Sequence, residues 1–340
     1  MDVAPVPGVW VSRLERGKVA WERGFGMSNA DTRRPVDATT IFEAASLTKQ
    51  VTAYVAHALH SAGALDFDKP LHDYVPDMSD EKARLVTARH VLSHSSGFPN
   101  WRNQKGEALV PAFDPGSQFQ YSGEGYVYLS RVLEKLADKP FAELVQERVL
   151  DPLGMTSSSM IRLPEREARM STGHGRHGAV LESSGSGARR SWDLARESGR
   201  PATALRYPEL EAALAKTSFP PLPNWMQPNA AASLCTTGPD YAKFLLEAMK
   251  NPEMWKQQIT IREGAGWGLG WGLGWGIERV GKQEYLWQWG DNPGYKNFVL
   301  LNPATKGGVF VFTNGDAGMR ICDRVVAHVT EREHPAFLWV

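Results

Sequence analysis

A chain of 340 residues with 42% apolar and 22% charged side chains has room for one large or two interlocked domains, and it excludes wholesale disorder and a collagen-like fibre. Its 38 basic residues balance 38 acidic ones, so the chain as a whole has no electrostatic footprint for nucleic acid or an anionic membrane. Two cysteines, Cys235 and Cys322, exclude a disulfide-stapled scaffold and a Cys/His zinc pattern, and both are expected to be free, buried thiols.

From the amino end, residues 9–14 and 18–25 are strand-like runs around Glu15-Arg16-Gly17, the pattern of a β-hairpin. Residues 46–59 place apolar side chains at three- and four-residue intervals before Gly63, which predicts a helix. Further helices are predicted over 87–93, 126–137 and 141–149, separated by Gly97, Pro99, Asp114-Pro115-Gly116 and Lys139-Pro140. Residues 156–232 change character, with Ser/Gly clusters at 183–187, many arginines and a Pro-rich stretch from Phe219 to Pro223. They read as an insertion or cap over a scaffold, the alternative being a linker between domains.

A helix follows Pro239 and runs to about Met249. Residues 266–276 then alternate glycine with Trp267, Leu269, Trp271, Leu273 and Trp275, which predicts a single strand with one aromatic and one bare face. The bare face suits close approach by another element or a ligand; the aromatic face equally suits a packed core. Strands are expected at 284–288, 296–301 and 308–313, with a last helix over 316–328. Strands at both ends and helices between them predict an α+β fold, an antiparallel sheet flanked by helices with a mainly helical subdomain. The sheet part is expected from about 1–60 and 233–340, the helical part from about 61–155 and the cap from about 156–232. There is no apolar run of about 18 residues, and the start has no basic segment followed by an apolar one. No membrane span is expected, and the chain as numbered reads as cytoplasmic, or periplasmic if a leader was trimmed.

Chemistry enters at Ser46 and Lys49, three apart at the start of the first predicted helix and therefore on one face, one turn apart. A serine hydroxyl is a weak nucleophile at neutral pH, but an amine whose pKa is lowered by burial or positive surroundings can take its proton. The helix amino terminus adds partial positive charge beside Ser46.

The surrounding segments extend this pair. Phe42 to Lys49 has the form of an SxxK element, and Arg89-His90-Val91-Leu92-Ser93-His94-Ser95-Ser96-Gly97 that of an HLLxHxSG segment. Tyr121-Ser122-Gly123 precedes a predicted helix, Asp151-Pro152-Leu153-Gly154-Met155 follows the helical stretch as a PLGM turn, and Trp289-Gly290-Asp291-Asn292-Pro293-Gly294 lies near the end. With these segments the sequence resembles the serine β-lactamase and penicillin-binding-protein superfamily, in its class C β-lactamase-like branch, which also holds esterases and D-amino-acid peptidases.

The resemblance implies an acylated nucleophile at Ser46, Lys49 as its proton acceptor and Tyr121 completing the proton relay. It also implies an oxyanion hole from the backbone N–H groups of Ser46 and Asp291, and substrate contacts at Gly123, Gln288, Trp289 and Gly290. Two departures bear on the substrate. Gly123 stands where lactamases and peptidases carry an asparagine that holds an acyl-amide carbonyl. Gln288-Trp289-Gly290 replaces their Lys-Thr-Gly or His-Thr-Gly, so the cation that binds a substrate carboxylate is missing.

Both departures resemble the esterase side of the superfamily, and hydrolysis of small carboxylic esters is the leading expectation. The alternatives are a D-amino-acid peptidase or amidase, a β-lactamase, an acyltransferase, and, from another class, an inactive binding module. The partner expected is a small-molecule ester or amide, with no cofactor and no metal. His90 and His94 lack the glutamate of a zinc HExxH pair, so a structural role is expected of both. His174 and His177 are expected to lie in a solvated loop. Trp289 is expected to wall the acyl pocket, against the strand rule that puts Trp287 and Trp289 on one face and Gln288 on the other.

Overall fold

The computed structural model describes residues 4–104, 106–216 and 226–340. The elements in chain order are β1 (Gly8–Glu15), β2 (Lys18–Asn29), β3 (Arg34–Pro35), β4 (Phe42–Glu43), α1 (Thr48–Ser61), α2 (Ala88–Leu92), α3 (Gly123–Ala137) and α4 (Phe141–Val145). They continue with α5 (Ser186–Ser198), α6 (Tyr207–Ala215), β5 (Cys235–Thr236), α7 (Gly238–Ala248), β6 (Ile259–Gly264), β7 (Trp267–Trp271) and β8 (Gly276–Val280). The chain closes with β9 (Gln283–Asn292), β10 (Tyr295–Asn302), β11 (Gly307–Thr313) and α8 (Gly318–Thr330). The Pro-rich stretch at 219–223 lies outside the described residues.

Nine strands form one sheet in the order β3-β2-β1-β11-β10-β9-β8-β7-β6, and the pairs within its main body are antiparallel. The two ends of the chain meet at its centre, where Val9 faces Thr313 across β1 and β11. Both faces of this centre are buried, so its strands are apolar at nearly every position. Val9, Val11, Phe298, Val309 and Val311 pack with Ile321, Cys322 and Val326 of α8. On the opposite face Trp10, Val299, Leu301, Phe310 and Phe312 join the core that holds Val51 and Val55 of α1 and Phe244 of α7.

The hairpin, α1, α7 and the last three strands lie where the sequence predicts them. The alternating segment does not form one strand. β7 ends at Trp271, the chain turns through Gly274 at φ +95°, and β8 begins at Gly276. Trp271 and Trp275 consequently sit in different cores. The Gly274 N–H donates to the Leu92 carbonyl at 2.9 Å, and a Cβ there would stand 2.4 Å from Ala53 Cβ of α1. The missing side chain at Gly274 thus makes room for α1, whereas Gly270 and Gly272 are approached by Gln257 and the Met254 carbonyl.

The helical layer begins at α2, where Thr87 and His90 form a capping box. Helix α3 starts three residues before the predicted Tyr126, because Ser122 caps it by accepting from Gly125 N at 3.0 Å. His174 is a correction to the solvated-loop expectation. It is fully buried, its Nδ1 lies 2.8 Å from the Asn314 carbonyl and its Nε2 accepts from Ala30 N at 3.1 Å, clamping the ends of β2 and β11. His177 is exposed, and both cysteines are buried and free. Among the described residues no helix is long and apolar enough to cross a membrane.

Candidate active site

Ser46 lies in a short 3-10 turn, Ala45–Leu47, that runs directly into α1. Ala45 holds φ +51°, a left-handed conformation that disfavours an L side chain. The neighbouring bonds impose it: Ala44 N donates to the Leu234 carbonyl at 2.8 Å, and Thr48 Oγ1 donates to the Ala45 carbonyl at 2.6 Å. Thr48 Oγ1 in turn accepts from Leu234 N at 3.0 Å. The Asn297 side chain donates to the Glu43 carbonyl at 2.9 Å, tying the turn to β10.

Lys49 points from the first turn of α1 toward Ser46, as the three-residue spacing predicts. Its Nζ stands 3.0 Å from Ser46 Oγ and donates to the Ala231 carbonyl at 3.0 Å. The side chain is fully buried, and burial alone lowers its pKa from 10.5 to about 7. Nζ also lies 4.8 Å from the Tyr121 ring centroid and 5.7 Å from that of Tyr126.

Tyr121 brings its hydroxyl beside Ser46 and Gln288. Burial pushes the phenol well above its ordinary range, against the pull of the Ser46 hydroxyl and the Gln288 amide. No hydrogen bond of good geometry closes on that buried oxygen. His94 supports the tyrosine from below: its ring centroid is 4.1 Å from that of Tyr121, and its Nδ1 accepts from Ser122 N at 3.1 Å. Burial, and secondarily the charge of Lys49, holds this imidazole well below its usual pKa. His90 caps α2 instead of approaching a metal, and among the described residues no group of three ligating side chains is found.

The nucleophile turn lies against the open edge of β9. Pairing of β9 with β8 ends at Trp287, leaving residues 288–292 without a strand on that side. The Trp289 N–H faces this edge, where Gln288 Oε1 accepts it at 3.1 Å, so by alternation the Asp291 N–H faces the same edge. Gly290 permits the approach, since a Cβ there would stand 2.4 Å from the Ala44 carbonyl oxygen.

A cavity of about 290 Å³ opens over Ser46 and is lined by Glu43, Tyr121, Trp289, Asp291 and Asn292. Its outer wall is Asn100, Trp101 and the Ser183–Gly187 stretch at the start of α5. Gly123, Gln288 and Gly290 do not line it, contrary to the substrate contacts expected from the sequence. Trp101 and Asn100 cover Gly123; Gln288 is fully buried against Tyr121; Gly290 faces Ala44. Trp289 does line it although it stacks on the buried Trp287 at 5.8 Å, because its ring also meets Tyr121 at 4.5 Å. Glu43, Asn100, Trp101 and the serines of 183–186 are cavity residues that sequence reasoning missed.

Glu43 is nearly buried, with Arg162 Nη1 at 3.6 Å and Asn292 Nδ2 donating to it at 3.0 Å. Burial raises its pKa, opposed by Arg162 and Asn292.

With this geometry in place, the comparison with known families is decisive: the profile described as Beta-lactamase matches residues 2–330. The chain belongs to the beta-lactamase family. Similar proteins include penicillin-binding protein 4* of Bacillus subtilis strain 168, 28% identical over 168 residues, covering 44% of this chain and 37% of that protein. Esterase EstB of Burkholderia gladioli is 29% identical over 184 residues, covering 45% of this chain and 47% of that protein. The matched stretches thus span under half the length of these relatives. The fold also matches D-alanine carboxypeptidase AmpC of Burkholderia cenocepacia with a TM-score of 0.72 and 18% identity, over 97% of this chain and 95% of that one. The antiparallel sheet with its helical layer is therefore the architecture shared within this family of serine hydrolases.

Proposed function

We propose that the chain hydrolyses small carboxylic esters through an acyl-enzyme on Ser46. The observation that carries this reading is the 3.0 Å approach of Lys49 Nζ to Ser46 Oγ by an amine held at about 7. Near neutral pH a large fraction of Lys49 is the free amine, with a lone pair that accepts the Ser46 proton while Oγ attacks the ester carbonyl. The carbonyl π electrons move to oxygen, and the resulting oxyanion is held by the N–H groups of Ser46 and Asp291, donors typically worth about 3 kcal/mol of barrier. Collapse expels the alcohol oxygen, which takes a proton from the Lys49 ammonium through the Tyr121 hydroxyl. Water then enters, gives a proton to the same relay and attacks the acyl carbon; collapse breaks the Ser46 Oγ–acyl bond, Oγ takes the proton back from Lys49 and the acid leaves.

An ester in place of a carboxylate-bearing β-lactam is favoured by charge. The cavity wall carries Glu43 and Asp291 and, among its described residues, no Lys, Arg or His. Glu43 and Asp291 are paired with Arg162 and Lys296 behind the wall, so a carboxylate substrate would find no free cation on the wall itself to receive it. The likeness to a relative named as an esterase points the same way. The proposed partner is thus a small, uncharged ester, with a related amide as the slower case.

The test is a panel of nitrophenyl butyrate, a D-alanine amide and nitrocefin, with Ser46→Ala as control and a fluorophosphonate label mapped by mass spectrometry. Ester turnover and a label on Ser46 are expected, both lost in Ser46→Ala. Nitrocefin turnover exceeding ester turnover would overturn the substrate class, and an unlabelled Ser46 would overturn the mechanism.

A further inference from the structure

The space that a side chain at position 123 would fill is occupied by the Trp101 ring and the Asn100 backbone carbonyl. A Cβ on Gly123 would stand 2.7 Å from Trp101 and 2.9 Å from the Asn100 carbonyl oxygen. The Gly123 N–H donates both to that carbonyl at 3.1 Å and to Asn100 Oδ1 at 2.9 Å, and Glu124 N donates to the same carbonyl at 3.0 Å. One residue earlier, Ser122 Oγ donates to the Pro99 carbonyl at 2.9 Å. The loop carrying Asn100 is thereby pinned to the start of α3, immediately after Tyr121.

This pinning sets the sense of the Asn100 amide. A backbone N–H can be met only by the amide oxygen, so the NH2 group must point the other way. Asn100 is exposed and lines the cavity over Ser46, and among the described residues nothing accepts from its Nδ2. Of the other side-chain amides nearby, Asn292 Nδ2 donates to Glu43 and to the Ala232 carbonyl, and Gln288 is buried against Tyr121 and does not line the cavity. Gln227, whose Oε1 accepts from Arg162 N at 2.9 Å, lines it beside the Ser183–Gly187 wall and not at the start of α3.

We propose that Asn100 is a specificity-determining residue whose Nδ2 donates to a neutral oxygen on the acyl part of the substrate. The preferred substrates are then uncharged esters with a carbonyl a few bonds from the scissile one. The proposal rests on the Ser46 acyl-enzyme reading and adds the substrate class to it. The loss of an amide at position 123 therefore does not leave the site without a carbonyl clamp. The donor comes from a loop 23 residues earlier and is held rigid by its own oxygen.

The test compares nitrophenyl esters of 4-oxopentanoic and pentanoic acids, equal in chain length and differing by one carbonyl oxygen. Wild-type protein is expected to favour the oxo-ester in kcat/KM by about 3- to 10-fold, the range of one neutral hydrogen bond. Asn100→Asp keeps an oxygen toward the Gly123 N–H but turns the cavity-facing donor into an acceptor, and Asn100→Ala removes the group. In both variants the ratio should fall to about one, whatever change the two esters share. A ratio retained in both variants, or a wild-type ratio of one, overturns the inference while Ser46 labelling leaves the acyl-enzyme reading standing. Absence of both turnover and labelling overturns the two together.

Discussion

Lys49 is buried with no acid as its partner among the described residues, so the group that activates the serine should also destabilise the fold, and replacing it with methionine should expose that cost. Holding the amine at about 7 instead of 10.5 means that at pH 7 folding must remove a proton the unfolded chain keeps, or bury the charge. The linkage amounts to about 4 kcal/mol at pH 7. The sign follows from proton counts. Between the two values the unfolded chain binds more protons, so wild-type stability rises with pH from about 7 to 10.5, and the full penalty applies below that window. At pH 9 the same linkage leaves about 2 kcal/mol. Lys49→Met removes the linkage but orphans the Ala231 carbonyl, at a cost of about 1–3 kcal/mol. The variant should be inactive yet more stable than wild type at pH 7 by about 1–3 kcal/mol. That advantage should shrink by about 2 kcal/mol by pH 9, where the two proteins become similar. Urea denaturation at the two pH values, at fixed ionic strength, measures both quantities. A stability difference identical at pH 7 and pH 9 would refute the burial argument, because no source of the pH dependence other than Lys49 is removed by this substitution.

The same amine predicts that kcat/KM for a nitrophenyl ester rises about tenfold per pH unit below 7 and levels off above it. Tyr121, held well above the ordinary phenol range, should add no alkaline limb below about pH 10; a pH–rate profile with its maximum below pH 7 contradicts this assignment. Gly290→Ala should separate β9 from the nucleophile turn by its clash with the Ala44 carbonyl, lowering Ser46 labelling by fluorophosphonate at least tenfold and stability by about 1–3 kcal/mol; wild-type labelling kinetics would rule out the close-approach argument. Trp289→Ala should enlarge the acyl pocket and move the preferred nitrophenyl ester to a longer acyl chain, read as the ratio of octanoate to butyrate turnover.

What could be read from the sequence was local. The three-residue spacing of Ser46 and Lys49 fixes a common helix face whatever surrounds it, and the structure places their polar atoms 3.0 Å apart. The central strands of the sheet were visible because their apolar runs are bounded by turn residues. What could not be read depends on partners distant in the chain. Period-two alternation over 266–276 is satisfied equally by one strand or by two joined at a glycine, and only contact with Leu92 and Ala53 decides for the turn at Gly274. His174 was misread because a Gly-rich neighbourhood signals a loop but does not tell that Asn314 and Ala30 enclose it. Asn100 carries no signal of its own, since its role requires a glycine at 123 to receive it.

These long-range contacts also explain how an unpaired lysine persists at the centre of the site. A carboxylate close to Lys49 would raise its pKa and remove the free base. Glu43, the acid on the same cavity wall, is engaged instead by Arg162 and Asn292, and Arg162 is itself buried and paired with Glu167. Among the described residues what surrounds Lys49 is neutral: the Ala231 carbonyl, the Tyr121 and Tyr126 rings, and an imidazole held below its usual pKa. The base is thus made by withholding a counter-ion, which requires several segments to meet: α1, the 94–126 stretch and residue 231. Spacing along α1 brings serine and lysine together, but the lowered pKa belongs to the enclosure, so a peptide carrying Ser46 and Lys49 alone would keep an ordinary amine and an unreactive hydroxyl.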